Sequence, residues 1–163
     1  MLATCSEDKR LGFIDSSGKI AHIIKKAHEN PINRVHFANE QIIISGDDEG
    51  VIKVWDLRQS ESIFQVHEQT EAITGFYFDE AYTNIISSCL DGTVAVYDLK
   101  QGNDSANKLY SISDSADEEL NNIIPMKNGK YLICPSSENS VLVFKRDNIE
   151  HFVDRITGQP GSV

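Results

Sequence analysis

An all-β repeat fold is what this sequence predicts, and three observations predict it. The first is a pair of apolar, β-branched runs around a tight turn at residues 43–58, repeated at residues 85–99 with Tyr97 where the earlier copy has Trp55. The second is a fixed offset, in which an acidic turn residue precedes a large apolar residue by six positions: Asp8 and Ile14, Glu49 and Trp55, Asp91 and Tyr97, Glu138 and Phe144. Those acids lie 41, 42 and 47 residues apart. Such a period of about 40 to 45 residues is that of four-stranded propeller blades. The third is that no segment of the chain carries a convincing amphipathic helical pattern.

Taken in order, residues 2–5 and 11–14 read as the second and third strands of a first, partial blade. Residues 32–37, 42–45 and 51–56 supply the first three strands of the next. Val51, Lys53 and Trp55 alternate with Ile52 and Val54, the period of two that places successive side chains on opposite faces of a sheet. Ile42-Ile43-Ile44 is too short for a helix and reads as a strand buried on both sides. Residues 72–78, 84–89 and 93–98 repeat the scheme. Residues 132–135 and 140–145 do so again, with 149–155 as a fourth strand. The polar, turn-rich stretches 101–108 and 113–119 account for the longer last interval as extended loops. The expected boundaries are a partial blade over 1–27, blades over 28–66 and 67–112, and a blade with the start of another over 113–163. Residue 1 already lies within a second strand, so the chain reads as about four consecutive blades of a seven-bladed ring and as a segment of a longer protein.

Composition narrows the function classes. With 25 acidic against 15 basic residues the net charge is −10, which disfavours a general grip on nucleic-acid phosphates. The basic pair Lys25-Lys26 reads as a solvated strand end. Three cysteines, Cys5, Cys89 and Cys134, have no Cys-x-x-Cys spacing and fall on second strands, so they read as small buried side chains rather than disulfides or zinc ligands, and point to an intracellular setting. His22, His36 and His151 show no ligand spacing, and no metal or other cofactor is expected. Asn103-Asp104-Ser105 matches a short glycosylation acceptor, without a signal peptide or membrane span ahead of it. Ser111 and Ser115 each have an acid three positions on, a pattern suited to acid-directed kinases, although a solvated charged loop is the plainer explanation. The sequence contains no Gly-rich phosphate loop, His-Glu-x-x-His or Gly-x-Ser-x-Gly elbow, so no catalysis is expected.

The repeat, its Trp55-Asp56 ending and the histidine upstream of an inner strand resemble the WD-repeat proteins. In that family a histidine, a second-strand Ser or Thr, the turn acid and the third-strand Trp form a buried hydrogen-bonded chain. The resemblance places it at His28, Ser45, Glu49 and Trp55, and less completely at His67, Ser87, Asp91 and Tyr97. Glu49 stands where the family has Asp, Tyr97 where it has Trp, and Cys134 where it has Ser. The trio of Ser, His and acid recurs once per blade, which marks it as structural rather than hydrolytic.

The runs Lys26-Ala27-His28-Glu29-Asn30-Pro31-Ile32-Asn33, Ser45-Gly46-Asp47-Asp48-Glu49-Gly50 and Ser136-Ser137-Glu138 are more narrowly similar to the WD repeat-containing protein 55 family, over essentially the whole chain. That resemblance implies a non-catalytic scaffold of the nucleus and nucleolus, binding pre-ribosomal proteins in ribosome biogenesis and ribosomal RNA processing or synthesis. A second resemblance competes with it. Trp55-Asp56-Leu57-Arg58 is similar to the motif by which WD-repeat substrate receptors dock on the adaptor of cullin-4 ubiquitin ligases, and it makes Arg58 and Asp56 candidate protein-binding residues. The plainer alternative is that Arg58 pairs within its own blade or is solvated.

Overall fold

The computed structural model describes residues 1–59, 61–79, 84–99, 108–111, 118–127, 129–146 and 148–158, and among them every regular element is a β-strand. The strands form four antiparallel sheets. The first holds β1 (Leu2–Cys5), β2 (Leu11–Ile14) and β3 (Ile20–Ile24) in that order. The second holds β4 (Ile32–Phe37), β5 (Ile42–Asp47), β6 (Val51–Asp56) and β7 (Ser62–His67). The third holds β8 (Ile73–Phe78), β9 (Asn84–Cys89), β10 (Thr93–Asp98) and β11 (Lys108–Ser111). The fourth holds β12 (Ile124–Pro125), β13 (Tyr131–Pro135), β14 (Ser140–Lys145) and β15 (Asn148–Thr157). Each is a meander of sequential neighbours, the strand order of a propeller blade.

Two compact units divide the described residues, the first holding Met1–Ile73 with Leu99 and the second Thr74–Asp98 with the residues from 108 onward. In the first, Leu11, Phe13, Ala27, Ile32, Ile43 and Trp55 pack as one buried cluster. Strand β5 is buried on both faces, with Ile43 and Ile44 both fully enclosed. In the second, Leu120, Ile123, Leu132, Leu142 and Phe144 form the centre of a separate cluster with Ile86 and Val94. The inner strand of the fourth sheet is interrupted. Leu120 bridges Ser136, but regular pairing resumes only at Ile124–Pro125, where Pro125 has no N–H to extend the ladder.

The turn between β5 and β6 needs a glycine. Gly50 has a φ of +80°, and a Cβ there would stand 2.1 Å from the backbone oxygen of Gln69. Gly50→Ala is therefore expected to cost about 1 to 3 kcal/mol from the left-handed backbone, plus the collision with a carbonyl. A urea midpoint unchanged from wild type would contradict this fit.

The polar stretch 101–107, residues 112–117 and the Asn103-Asp104-Ser105 sequon lie outside the described residues, as do Ser115 and the side chain of Ser111. Glu118 and Glu119 end the acidic run, and Glu118 differs from the expected solvated loop. It is 1% exposed. Arg155 on β15 donates to it at 2.8 Å, which gives the carboxylate the partner that burial demands. Cys89 and Cys134 are buried and Cys5 half-buried, all as free thiols. Burial pushes the Cys134 thiol up to about 12, which keeps it protonated and unreactive.

Candidate functional site

In the second sheet, four side chains from three places in the chain meet under the β5–β6 turn. Trp55 on β6 donates its Nε1–H to Ser45 Oγ on β5 at 2.9 Å. Ser45 Oγ lies 2.7 Å from His28 Nε2, and His28 Nδ1 lies 2.9 Å from Asp47 Oδ2. Donor counting assigns the proton positions. Ser45 accepts from Trp55 and has one hydroxyl hydrogen left, which satisfies Nε2 if the imidazole carries its hydrogen on Nδ1 and gives it to Asp47. All the polar atoms of this four-residue network are then paired, as burial requires.

Asp47 also organises the turn. Its Oδ1 accepts from the backbone N–H of Glu49 at 3.1 Å and of Val51 at 2.9 Å. Burial would raise its pKa, but the hydrogen bond from His28 and the two backbone N–H groups outweigh that, and the carboxyl lies below its ordinary value. Lys53 completes the setting, donating to the Ala27 carbonyl at 2.9 Å with its ammonium 5.8 Å from the Trp55 ring centroid.

The structure thus brings His28, Ser45 and Trp55 together and corrects the acid. Glu49 is exposed in the turn; Asp47 takes the place expected for it. The reason is strand geometry. Ser45 and Asp47 are two residues apart on β5 and share a face, whereas Glu49 lies past the strand end. His67 is also placed differently. It is the exposed last residue of β7, in register with Val51, and not a buried residue ahead of β8. The buried residue four positions before Ile73, as His28 is four before Ile32, is Gln69, which is 0% exposed. Ser87 and Tyr97 are fully buried and Asp91 half-buried, accepting from the Thr93 N–H at 2.9 Å. In the fourth sheet Glu118 lies 3.3 Å from the Ser140 hydroxyl, which in turn meets Ser136 at 2.9 Å. There an Arg–Glu pair occupies the region that the sequence reading assigned to a polar loop.

Arg58 lies just past β6. Its Nε donates to Asp56 Oδ1 at 2.8 Å and its Nη2 to Oδ2, a bidentate fork on its own neighbour. Asp56 is buried, with a side chain 5% exposed, against 65% for Arg58. The Arg58 side chain, with its backbone N–H, pulls the Asp56 carboxyl down to about 2. What this pair offers a partner is therefore the outer edge of a fixed guanidinium, and not the Asp56 carboxylate.

Chemically the buried chain is a clamp. The Ser45 hydroxyl is fully enclosed and already engaged by both Trp55 and His28, so it is not presented to a substrate. Among the described residues no group of three or more His, Cys, Asp or Glu side chains could hold a metal ion, and no helix is long and apolar enough to cross a membrane.

The family profile described as "WD domain, G-beta repeat" matches residues 18–56 and 58–98. The chain contains WD40 repeats. The two matched WD40 repeats together run from β3 to the end of β10, each closing on the strand that carries Trp55 or Tyr97. This WD40-repeat chain is 33% identical over 162 residues to a WD repeat-containing protein 55 homolog of Dictyostelium discoideum, covering 98% of the chain and 38% of the relative. It is 32% identical over 165 residues to the WD repeat-containing protein JIP5 of Cryptococcus neoformans var. neoformans serotype D (strain B-3501A), covering 100% of the chain and 43% of the relative. With WD repeat-containing protein 55 of Rattus norvegicus the identity is 28% over 163 residues, covering 99% of the chain and 41% of the relative. The chain accordingly spans less than half the length of each of these three relatives. WD40 repeats in general mediate protein–protein interaction.

Proposed function

We propose that this chain is part of a non-catalytic protein-binding scaffold that acts in the nucleolus, in ribosome biogenesis and ribosomal RNA processing or synthesis. The observation that carries the reading is the similarity to proteins named WD repeat-containing protein 55 along nearly the whole chain. The buried clamp supports the non-catalytic part, because it spends its polar groups on holding a sheet together. Pre-ribosomal proteins are the proposed partners, and a net charge of −10 argues against nucleic acid as the main ligand. Depletion in cells that express the protein, followed by pulse-labelling of ribosomal RNA, is expected to reduce synthesis or accumulate precursors. Unchanged precursor ratios and synthesis rates would refute the reading, as would a tagged protein excluded from nucleoli.

A second reading is favoured by one feature, the exposed and rigidly held Arg58. A guanidinium fixed by Asp56 is preorganised to give its remaining N–H groups to a carboxylate on the adaptor of a cullin-4 ubiquitin ligase. Arg58→Ala is expected to leave the far-UV circular dichroism close to wild type and to lower the melting midpoint modestly, since the buried Asp56 carboxylate loses the guanidinium but keeps the Arg58 backbone N–H at 3.0 Å. Co-purification of the adaptor with wild type and its loss in the variant would support this docking. Equal recovery from both would remove it.

A further inference from the structure

A surface cleft of about 390 Å³ opens between β3 and the turn after β6, both in the first unit. Its walls include His22, Ile23 and Lys25 on one side and Leu57 and Arg58 on the other. Among the described residues no acidic side chain lines it. In a chain with 25 acidic residues and a net charge of −10, that local balance stands out. Asp56 lies buried next to Arg58, neutralising its charge and fixing its plane, so Lys25 supplies an uncompensated positive charge beside a preorganised donor edge. Between these groups are apolar surfaces, with Ile23 at 39% exposure and Leu57 half-buried. The wall formed by β3 is the outer strand of its sheet, a strand edge of the kind extended peptides recognise.

We propose that this cleft receives an acidic, extended segment of a partner protein, its carboxylates on Lys25 and Arg58 and its apolar side chains against Ile23 and Leu57. Ile23 and Lys25 are two residues apart along one extended stretch, so an apolar and a charged contact lie side by side there, as an extended segment would meet them. The inference rests on the scaffold reading only in taking the ligand to be a protein segment. Because binding is read with the purified full chain, its failure leaves association with pre-ribosomal proteins untouched, and the two failures can be told apart.

The probe is a fluorescein-labelled peptide of alternating Glu and Leu, followed by fluorescence anisotropy. Saturable binding is expected, weakened about tenfold by Lys25→Glu and also by added salt, as for contacts at an exposed charged rim. The same peptide with Gln in place of Glu should bind at least about tenfold more weakly. Ile23→Asn, which leaves the charge unchanged, should weaken binding as well, which separates the cleft from a diffuse charge effect. Arg58→Glu would set two carboxylates together and could disturb the fold, so Lys25→Glu, at an exposed position, decides. Absence of saturable binding, equal binding of the Glu and Gln peptides, indifference to Lys25→Glu, or displacement by oligouridylate but not by unlabelled Glu-Leu peptide would each overturn the proposal.

Discussion

Trp55→Ala is expected to destabilise the chain by about 3 to 5 kcal/mol, the range for truncating a large aromatic in a packed core. Two losses combine. The indole is 5% exposed and packs with Leu11, Phe13 and Ile43, so its removal leaves a cavity among side chains held by backbone ladders on both sides. Its Nε1–H is also a donor to Ser45, so the buried hydroxyl loses a partner. Trp55→Phe separates these contributions, keeping most of the ring volume and costing about 1 kcal/mol for the lost hydrogen bond. Trp55 is the one tryptophan, so unfolding in urea should be followed by far-UV circular dichroism. A Trp55→Ala midpoint equal to wild type would show that the indole is not a core group.

The second large effect separates two neighbouring acids. Asp47→Ala should cost about 3 kcal/mol or more, because it strips three donors of a buried or turn-forming acceptor at once. These are His28 Nδ1 and the backbone N–H groups of Glu49 and Val51. Glu49→Ala should fall within about ±0.5 kcal/mol, as exposed substitutions do. The acid dependence follows in sign. The folded Asp47 pKa is depressed, so its contribution is fully present above the unfolded value of about 3.9 and is lost as pH falls through the lower folded value. The wild type should therefore lose stability on acidification below about pH 4 more steeply than Asp47→Ala does. Equal urea midpoints for Asp47→Ala and Glu49→Ala would contradict the assigned network.

Much of the fold was legible in the sequence because its signals are local. Period-two alternation in 51–56 and the six-residue step from turn acid to core aromatic both follow from hairpin geometry, and both elements stand where they were expected. The six-residue offset points to Glu49, whereas strand alternation points to Asp47. Ser45 and Asp47 lie on one face of one strand, and that relation alone would have chosen Asp47 over Glu49. Residue identity points to His67, while the distance to the next inner strand, four residues before Ile73 as His28 is before Ile32, points to Gln69. Glu118 had no local signal at all. Its partner Arg155 is 37 residues away, and only the fold brings an acid from a polar run beneath it. The short inner strand of the fourth sheet was foreshadowed by Pro125, whose missing N–H a strand reading must respect.

The measurement that tests the central claim most directly is affinity purification of the chain from nuclear extract with quantitative mass spectrometry, run beside Arg58→Ala. The scaffold account predicts enrichment of pre-ribosomal proteins that is the same for both. Recovery of no pre-ribosomal proteins, with the cullin adaptor present in wild type and lost in the variant, would contradict it and assign the chain to ubiquitin-ligase docking.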